Sequence, residues 1–334
     1  MERAHEELSR AMREYVGRVV PRLERPPSAV EFAMKFVGRN VPFVCANATR
    51  EWRAHEAWRS REGVVRAFGG WDVVVDVNAT PDGRGDAVVR TADGGAAFAE
   101  PTRARTSLRA LFDSFDDARG DVVYYLSTQN DNLRTDAALR GLLDDCGGER
   151  GVAFADEAFG CAPDAINLWI GDDRSVTSYH RDFYENVYTV ITGTKIFSLR
   201  PPCDFADMRF VECAPARYAL RRDASGRASW SVDVDASAPK VSWSAVDVDD
   251  VGNPIFGDDE ELWYQNKSPR EPAYEVEVRA GETLYLPAMW YHRVRQRGIT
   301  IAVNSWYDMT FDDRYATRMC LESALPRRPD PTFG

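Results

Sequence analysis

Near the amino terminus, apolar side chains at Leu8, Ala11, Met12, Tyr15 and Val19 recur at three- and four-residue intervals. That spacing lays them along one face of an amphipathic helix, which Pro21 and the Pro26-Pro27 pair bring to a stop. Further helices are predicted over 29–37 and 107–115. Val41 to Val44 and Trp71 to Val77 carry the β-branched and aromatic runs of strands, and the glycine-rich 83–95 stretch is expected to be a loop. Within it, Arg84-Gly85-Asp86 reads as a loop coincidence.

From Asp121 onward short apolar runs repeat, at 122–128, 165–170, 187–191, 196–199, 274–278, 283–286 and 299–306. Turns at Thr192-Gly193-Thr194 and Ala280-Gly281-Glu282 separate neighbouring runs. The pattern predicts a mainly β protein with flanking helices, an antiparallel barrel or sandwich and not an alternating βαβ sheet. The chain divides accordingly into a helical and strand region packing on the core (1–120), the strand-rich domain (121–310), and a helix with tail (311–334). Phe311, Tyr315, Met319 and Leu325 mark that last helix. Inside the strand-rich domain, 221–261 is polar and acidic and is expected to be a solvated insertion; it lacks the glycine and closing glutamate of a calcium-binding EF-hand loop.

Composition narrows the function classes. The 334 residues carry 42 basic and 53 acidic side chains, a net charge of −11, which argues against a duplex nucleic-acid binder and suits a basic protein partner. No apolar run reaches the roughly 18 residues of a membrane span. Charges interrupt the amino terminus throughout, so no secretory leader is expected. Six scattered cysteines without a CxxC pair read as reduced thiols, which points to the cytoplasm and also the nucleus. Only four residues are lysines and four are histidines, so those that survive carry information.

The most informative segment is Thr177-Ser178-Tyr179-His180-Arg181-Asp182. Residues two apart on an extended chain project to the same side, so His180 and Asp182 can present a nitrogen and a carboxylate oxygen to one point. A third ligand is supplied by Gly281-Glu282-Thr283-Leu284-Tyr285-Leu286-Pro287-Ala288-Met289-Trp290-Tyr291-His292, a glycine turn and short strand ending in a histidine 110 residues after Asp182. Two histidines and a carboxylate occupy one face of an octahedron and leave positions open, as in non-haem Fe(II) oxygenases. Lys195 lies 15 residues after His180, beyond the Thr192–Thr194 turn. Spacing alone leaves it open between a surface strand lysine and a point charge that a hairpin returns toward the metal, for the far end of a dicarboxylic cosubstrate. No HExxH, GxSxG, P-loop or complete GxGxxG motif accompanies these residues.

Taken with Asp164–Gly171, Val176–Asp182, Tyr184–Tyr188, Gly193-Thr194-Lys195, Arg279–Trp290 and Val303–Met309, the chain resembles the jumonji-C (JmjC) branch of the 2-oxoglutarate- and Fe(II)-dependent oxygenases. The resemblance implies a cupin-type double-stranded β-helix, or jelly roll. It also implies Fe(II) on His180, Asp182 and His292, and 2-oxoglutarate bound at its distal carboxylate by Lys195 with Thr177 and Tyr125. Asn186, Asn304, Tyr188 and Trp306 fall where related enzymes line the cosubstrate pocket. Dioxygen would oxidatively decarboxylate 2-oxoglutarate to succinate and carbon dioxide while a substrate C–H bond is hydroxylated. The likeness is strongest to members that hydroxylate lysyl residues at C-3, which implies a protein substrate presenting a lysine. N-methyl-lysine demethylation, hydroxylation of another residue and a non-catalytic cupin binding module are the alternatives; a peptidase finds no nucleophile or zinc motif. Ser305 and Ser127 depart from relatives that carry an aromatic residue and a glutamine there. By analogy with related hydroxylases, the terminal helices are candidates for homodimer formation.

Overall fold

Two strands of unusual length organise the molecule. In the computed structural model, which describes residues 2–117, 120–246 and 274–323, Tyr184–Arg200 and Tyr291–Asp308 run antiparallel. They pair along nearly their whole lengths, from Tyr184 opposite Asp308 to Arg200 opposite Tyr291. The expectation of two strands at 187–191 and 196–199 joined by a turn is therefore corrected. Thr192-Gly193-Thr194 is a corner within one strand, where the register slips and then resumes. Gly193 takes φ +76°, and a Cβ there would sit 2.5 Å from the Ile299 carbonyl oxygen, so the corner admits only glycine.

The corner closes the sheet on itself. Glu282–Leu286 pairs with the first half of Tyr184–Arg200 and Tyr274–Arg279 with the second, while Ala165–Gly171 and Val176–His180 pair with the two halves of Tyr291–Asp308. Side chains from both halves of the long strand, Tyr188 and Val190 before the corner and Phe197 and Leu199 after it, meet in one apolar cluster with Trp169, Leu284 and Val276. That shared interior makes the nine-stranded sheet a jelly-roll core. The opposite face of the same strands, including Val187, Ile191, Ile301 and Val303, is covered by Phe32, Phe43, Trp58, Leu108 and Phe112 from the amino-terminal third. Burial on both faces explains why these strands read as continuous apolar runs without alternation.

The amino-terminal region extends the core sheet directly: Phe43–Ala46 pairs with Glu282–Leu286, and Arg22–Leu23 runs parallel beside it. Helices Ala29–Phe32 and Leu108–Asp116 start where expected, each because a serine hydroxyl, Ser28 or Ser107, accepts a backbone N–H of the first turn. The first helix, Glu2–Val16, buries a different face from the one its spacing suggests. Ser9 and Val16 are buried, whereas Leu8, Tyr15 and Val19 are exposed.

Two further expectations are corrected. The 83–95 stretch is not a loop: Arg84–Gly85 pairs parallel with Val176-Thr177, and Ala87–Arg90 pairs with Ala96–Glu100. Gly94, at φ +86°, makes the turn of that hairpin. The acidic insertion is ordered where it is described, since Phe210–Arg222 and Ala228–Val234 form a hairpin, Val241–Ser244 pairs with its base, and Ala96–Glu100 completes a second sheet. The rest of the insertion, from residue 247, lies outside the described residues, as does Leu325 of the carboxy-terminal helix Asp313–Ser323.

Candidate active site

His180 ends the Val176–His180 strand, and the antiparallel register sets it directly opposite His292, with the two rings 4.1 Å apart. Asp182 follows just beyond the strand end and turns its carboxylate toward both. Its Oδ2 lies 3.9 Å from His180 Nε2 and 3.6 Å from His292 Nε2, and the three ligand atoms all fall within 4.8 Å of one another.

The tautomers are set by the backbone. His180 Nδ1 donates to the Ser178 carbonyl at 2.8 Å and His292 Nδ1 to the Trp290 carbonyl at 3.0 Å, so both Nε2 lone pairs face the common point. Burial, reinforced by the neighbouring His180 and opposed by Asp182, lowers the pKa of His292 to about 4 and keeps it a neutral ligand. The segment leading to His292 is pinned from three sides. Ala288 N–H donates to Glu185 Oε2 at 3.2 Å, Trp290 Nε1 to Asn40 Oδ1 at 2.9 Å, and Met289 N–H to the Asp182 carbonyl at 2.9 Å. That last bond ties the loop bearing one ligand to the segment bearing another. Two imidazoles and one carboxylate converging, with no cation between them among the described residues, suit a divalent metal such as Fe(II).

Lys195 is reached by strand continuation and not by a hairpin. Register pairs Lys195 with Gln296, Leu199 with His292, Tyr188 with Asn304 and Asn186 with Trp306, so all these side chains share the interior face. Lys195 is 2 % exposed, and among the described residues its ammonium bonds only to Tyr125 Oη, at 2.8 Å, and Gln296 Oε1. Burial lowers its pKa from 10.5 to about 7. Tyr125 Oη accepts from Lys195 and also hydrogen-bonds the Tyr188 hydroxyl, so both rings are anchored at the cleft. Thr177 lines that cleft together with Tyr125, Trp169 and Ser127. The departure at Ser127 is structural here, its hydroxyl accepting from Asn78 Nδ2 at 2.9 Å.

The remaining candidates form the walls. Asn304 Nδ2 donates to Asn186 Oδ1 at 3.1 Å, and Asn304 Oδ1 accepts from Trp169 Nε1 at 2.7 Å. Trp306 stacks on Tyr184 with ring centroids 5.2 Å apart, and its buried Nε1 has no partner among the described residues. Three contributors escaped the sequence reading. Gln296 is detectable in principle, four residues beyond His292 on the same strand face; Trp169 is hidden in an apolar run. Trp243, from the acidic insertion, stacks on His180 with the planes 5° apart and donates from Nε1 to Ser178 Oγ at 2.9 Å. Behind the ligands, Arg181 bonds Tyr291 Oη at 3.0 Å and Glu322 of the last helix at 2.7 Å.

Comparison with known proteins agrees with this geometry. A family model described as a cupin-like domain matches residues 29–313. The chain is 37% identical over 331 residues to "Lysine-specific demethylase JMJ32" of Arabidopsis thaliana, covering 96% of this chain and 91% of the relative. It is also 37% identical over 305 residues to "Bifunctional peptidase and (3S)-lysyl hydroxylase JMJD7" of Homo sapiens, covering 91% and 89%, and 31% identical over 318 residues to "JmjC domain-containing protein E" of Dictyostelium discoideum, covering 89% and 86%. With a jelly-roll core, a His-Asp-His cluster and likeness of this extent, the chain belongs to the cupin-like JmjC family of Fe(II)- and 2-oxoglutarate-dependent oxygenases.

Proposed function

We propose that this protein hydroxylates lysyl residues of a protein substrate at C-3, using Fe(II), 2-oxoglutarate and dioxygen. The observation that carries the oxygenase reading is Lys195: a buried ammonium held by two neutral partners suits a carboxylate ligand. It stands on the same strand face as the metal ligands, the geometry a chelating dicarboxylate requires.

In this reading His180, Asp182 and His292 hold Fe(II). Lys195, Thr177 and Tyr125 fix the distal carboxylate of 2-oxoglutarate, and Asn186, Asn304, Tyr188 and Trp306 shape the pocket around it. When bound, the metal and cosubstrate supply the oxidising chemistry, converting 2-oxoglutarate and dioxygen to succinate, carbon dioxide and one hydroxylated C–H bond. The protein's own residues bind and orient. The buried Trp169–Asn304–Asn186 chain fixes the pocket wall, Tyr188 and Trp169 would keep water from a carboxylate paired with Lys195, and the Tyr125 hydroxyl would hydrogen-bond that carboxylate. The choice of lysyl hydroxylation rests on the likeness to the human relative and on the net charge of −11, which steers basic segments toward the protein.

The test is Fe(II)-dependent release of succinate in the presence of lysine-containing peptides, with mass spectrometry of the products. A gain of one oxygen atom supports hydroxylation. Loss of a methyl group from N-methyl-lysine peptides, with no oxygen gained by unmethylated ones, replaces it with the demethylase activity named for the Arabidopsis relative; no succinate at all overturns both. A homodimer through the terminal helices belongs to the same reading, and sedimentation showing only monomer at micromolar concentration rejects it.

A further inference from the structure

The Arg84-Gly85-Asp86 tripeptide is part of the fold and not a chance string in a loop. Arg84–Gly85 is the edge strand that pairs in parallel with Val176-Thr177, immediately before the ligand His180. The chain then turns sharply at Asp86, which adopts φ +53°, a left-handed conformation costly for a side chain bearing a Cβ. The turn is held by Ser178: its hydroxyl donates to the Asp86 carbonyl and accepts from Trp243 Nε1. One residue of the catalytic strand thus fastens both the 84–86 turn and the aromatic ring that covers His180.

Asp86 lines the same cleft as Tyr125, Trp169 and Thr177. Its carboxylate lies within electrostatic range of His180, Glu100 and Arg103, yet among the described residues no donor hydrogen-bonds to it and no cation pairs with it. Neighbouring carboxylates are otherwise engaged: Asp172 holds Arg174 at 2.6 Å, and Glu100 holds Arg217 at 2.5 Å. Burial, with Glu100 adding to it and His180 and Arg103 opposing it, raises the pKa of Asp86. A strained, half-buried, unpaired carboxylate beside a metal site is a cost that a cationic ligand would relieve.

Resting on the lysyl-hydroxylase reading above, we propose that Asp86 is a specificity-determining residue that receives the ε-ammonium of the substrate lysine, with Ser178 and Trp243 positioning it. A lysine whose C-3 faces the metal carries its ammonium at the far end of its side chain, and Asp86 offers an unpaired anion on the cleft wall next to His180. The alkyl stem would run past aromatic surface supplied by Trp243.

The experiment measures peptide-stimulated succinate release by the Fe(II)-loaded protein with two randomised peptide libraries, one with a fixed central lysine and one with norleucine, which keeps the alkyl chain and lacks the ammonium. The wild-type protein is expected to prefer the lysine library by about tenfold or more in kcat/KM. D86N is expected to lose that preference through KM, and D86E to restore part of it. Equal stimulation by lysine and norleucine, stimulation by neither, or an undiminished preference in D86N overturns the assignment. The wild-type comparison of libraries needs no variant to fold. Peptide-free conversion of 2-oxoglutarate separates the two failures: if it is absent, the oxygenase reading fails, and if it is present without discrimination, only Asp86 does.

Discussion

Removing the charge at Lys195 should stabilise the protein in the absence of 2-oxoglutarate. Burial holds the ammonium at a pKa of about 7 against an ordinary 10.5, because Tyr125 and Gln296 are neutral partners in an enclosed site. Between those two values the unfolded chain binds a proton that the folded protein does not, so stability rises with pH across the window. Below pH 7 both states are protonated and the folded state bears the full cost of the buried charge. At roughly 1.4 kcal/mol per pH unit, the interval from 10.5 to about 7 corresponds to about 5 kcal/mol, an upper bound once local relaxation is allowed. Thermal melts of cosubstrate-free protein from pH 7 to 10 should therefore show a rise in Tm that Lys195→Met flattens, with the variant more stable than wild type at pH 7.

The same charge governs cosubstrate binding. A carboxylate delivered to Lys195 restores the proton, so 2-oxoglutarate binding at pH 8 should take up about 0.9 proton per site and at pH 7 about half a proton. Calorimetric titration in buffers of different ionisation enthalpy reads that number directly, with the metal loaded and oxygen excluded. Uptake near zero at pH 8, or a Lys195→Met protein that is less stable at pH 7, would refute the reasoning. Either result means that the ammonium is already compensated.

Asp182→Ala should abolish both Fe(II)-dependent succinate release and tight Mn(II) binding measured by electron paramagnetic resonance, while the jelly roll persists by circular dichroism; retained turnover sinks the metal assignment. Trp243→Ala removes the ring stacked on His180 and a donor to Ser178, and should weaken Mn(II) binding by about tenfold, as loss of a residue that orients a ligand commonly does. Unchanged affinity in that variant means that the insertion does not support the metal. Gly193→Ala places a Cβ 2.5 Å from the Ile299 carbonyl at a backbone angle of +76° and should cost about 3 kcal/mol in urea denaturation. A loss under 1 kcal/mol would mean that the corner yields easily.

The metal triad was legible because each part of its signal is local. Two-residue spacing on a strand places His180 and Asp182 together, and a glycine turn, a strand and a proline deliver His292. Lys195 was legible as a residue but reached by the wrong route. A glycine with positive φ looks alike in a hairpin and in a bulge, and only the pairing of Thr194 with Arg297 and Thr192 with Ile301 distinguishes them. The first helix failed for a related reason. Its spacing supports overlapping faces, and contact with the short helix Pro202–Met208, where Arg13 meets Asp204 at 3.1 Å, selects the one through Ser9 and Val16.

Asp86 and Trp243 were not legible because their roles arise from non-local pairing. Val176–His180 has two edges: Tyr291–Asp308 on one side brings His292, and Arg84–Gly85 on the other brings a segment from about ninety residues upstream. No local period encodes that second pairing. Its consequence is mechanical as well as chemical. Ser178 lies two residues before the first metal ligand, and its hydroxyl joins that strand to the 84–86 turn and to Val241–Ser244. Ser178→Ala would therefore leave Trp243 Nε1 without its acceptor and the Asp86 carbonyl without its donor while leaving all three metal ligands in place. Its effect should fall mainly on KM for the lysine library, with Mn(II) affinity reduced less than in Trp243→Ala. A Ser178→Ala protein with wild-type peptide kinetics would mean that the clamp positions neither residue.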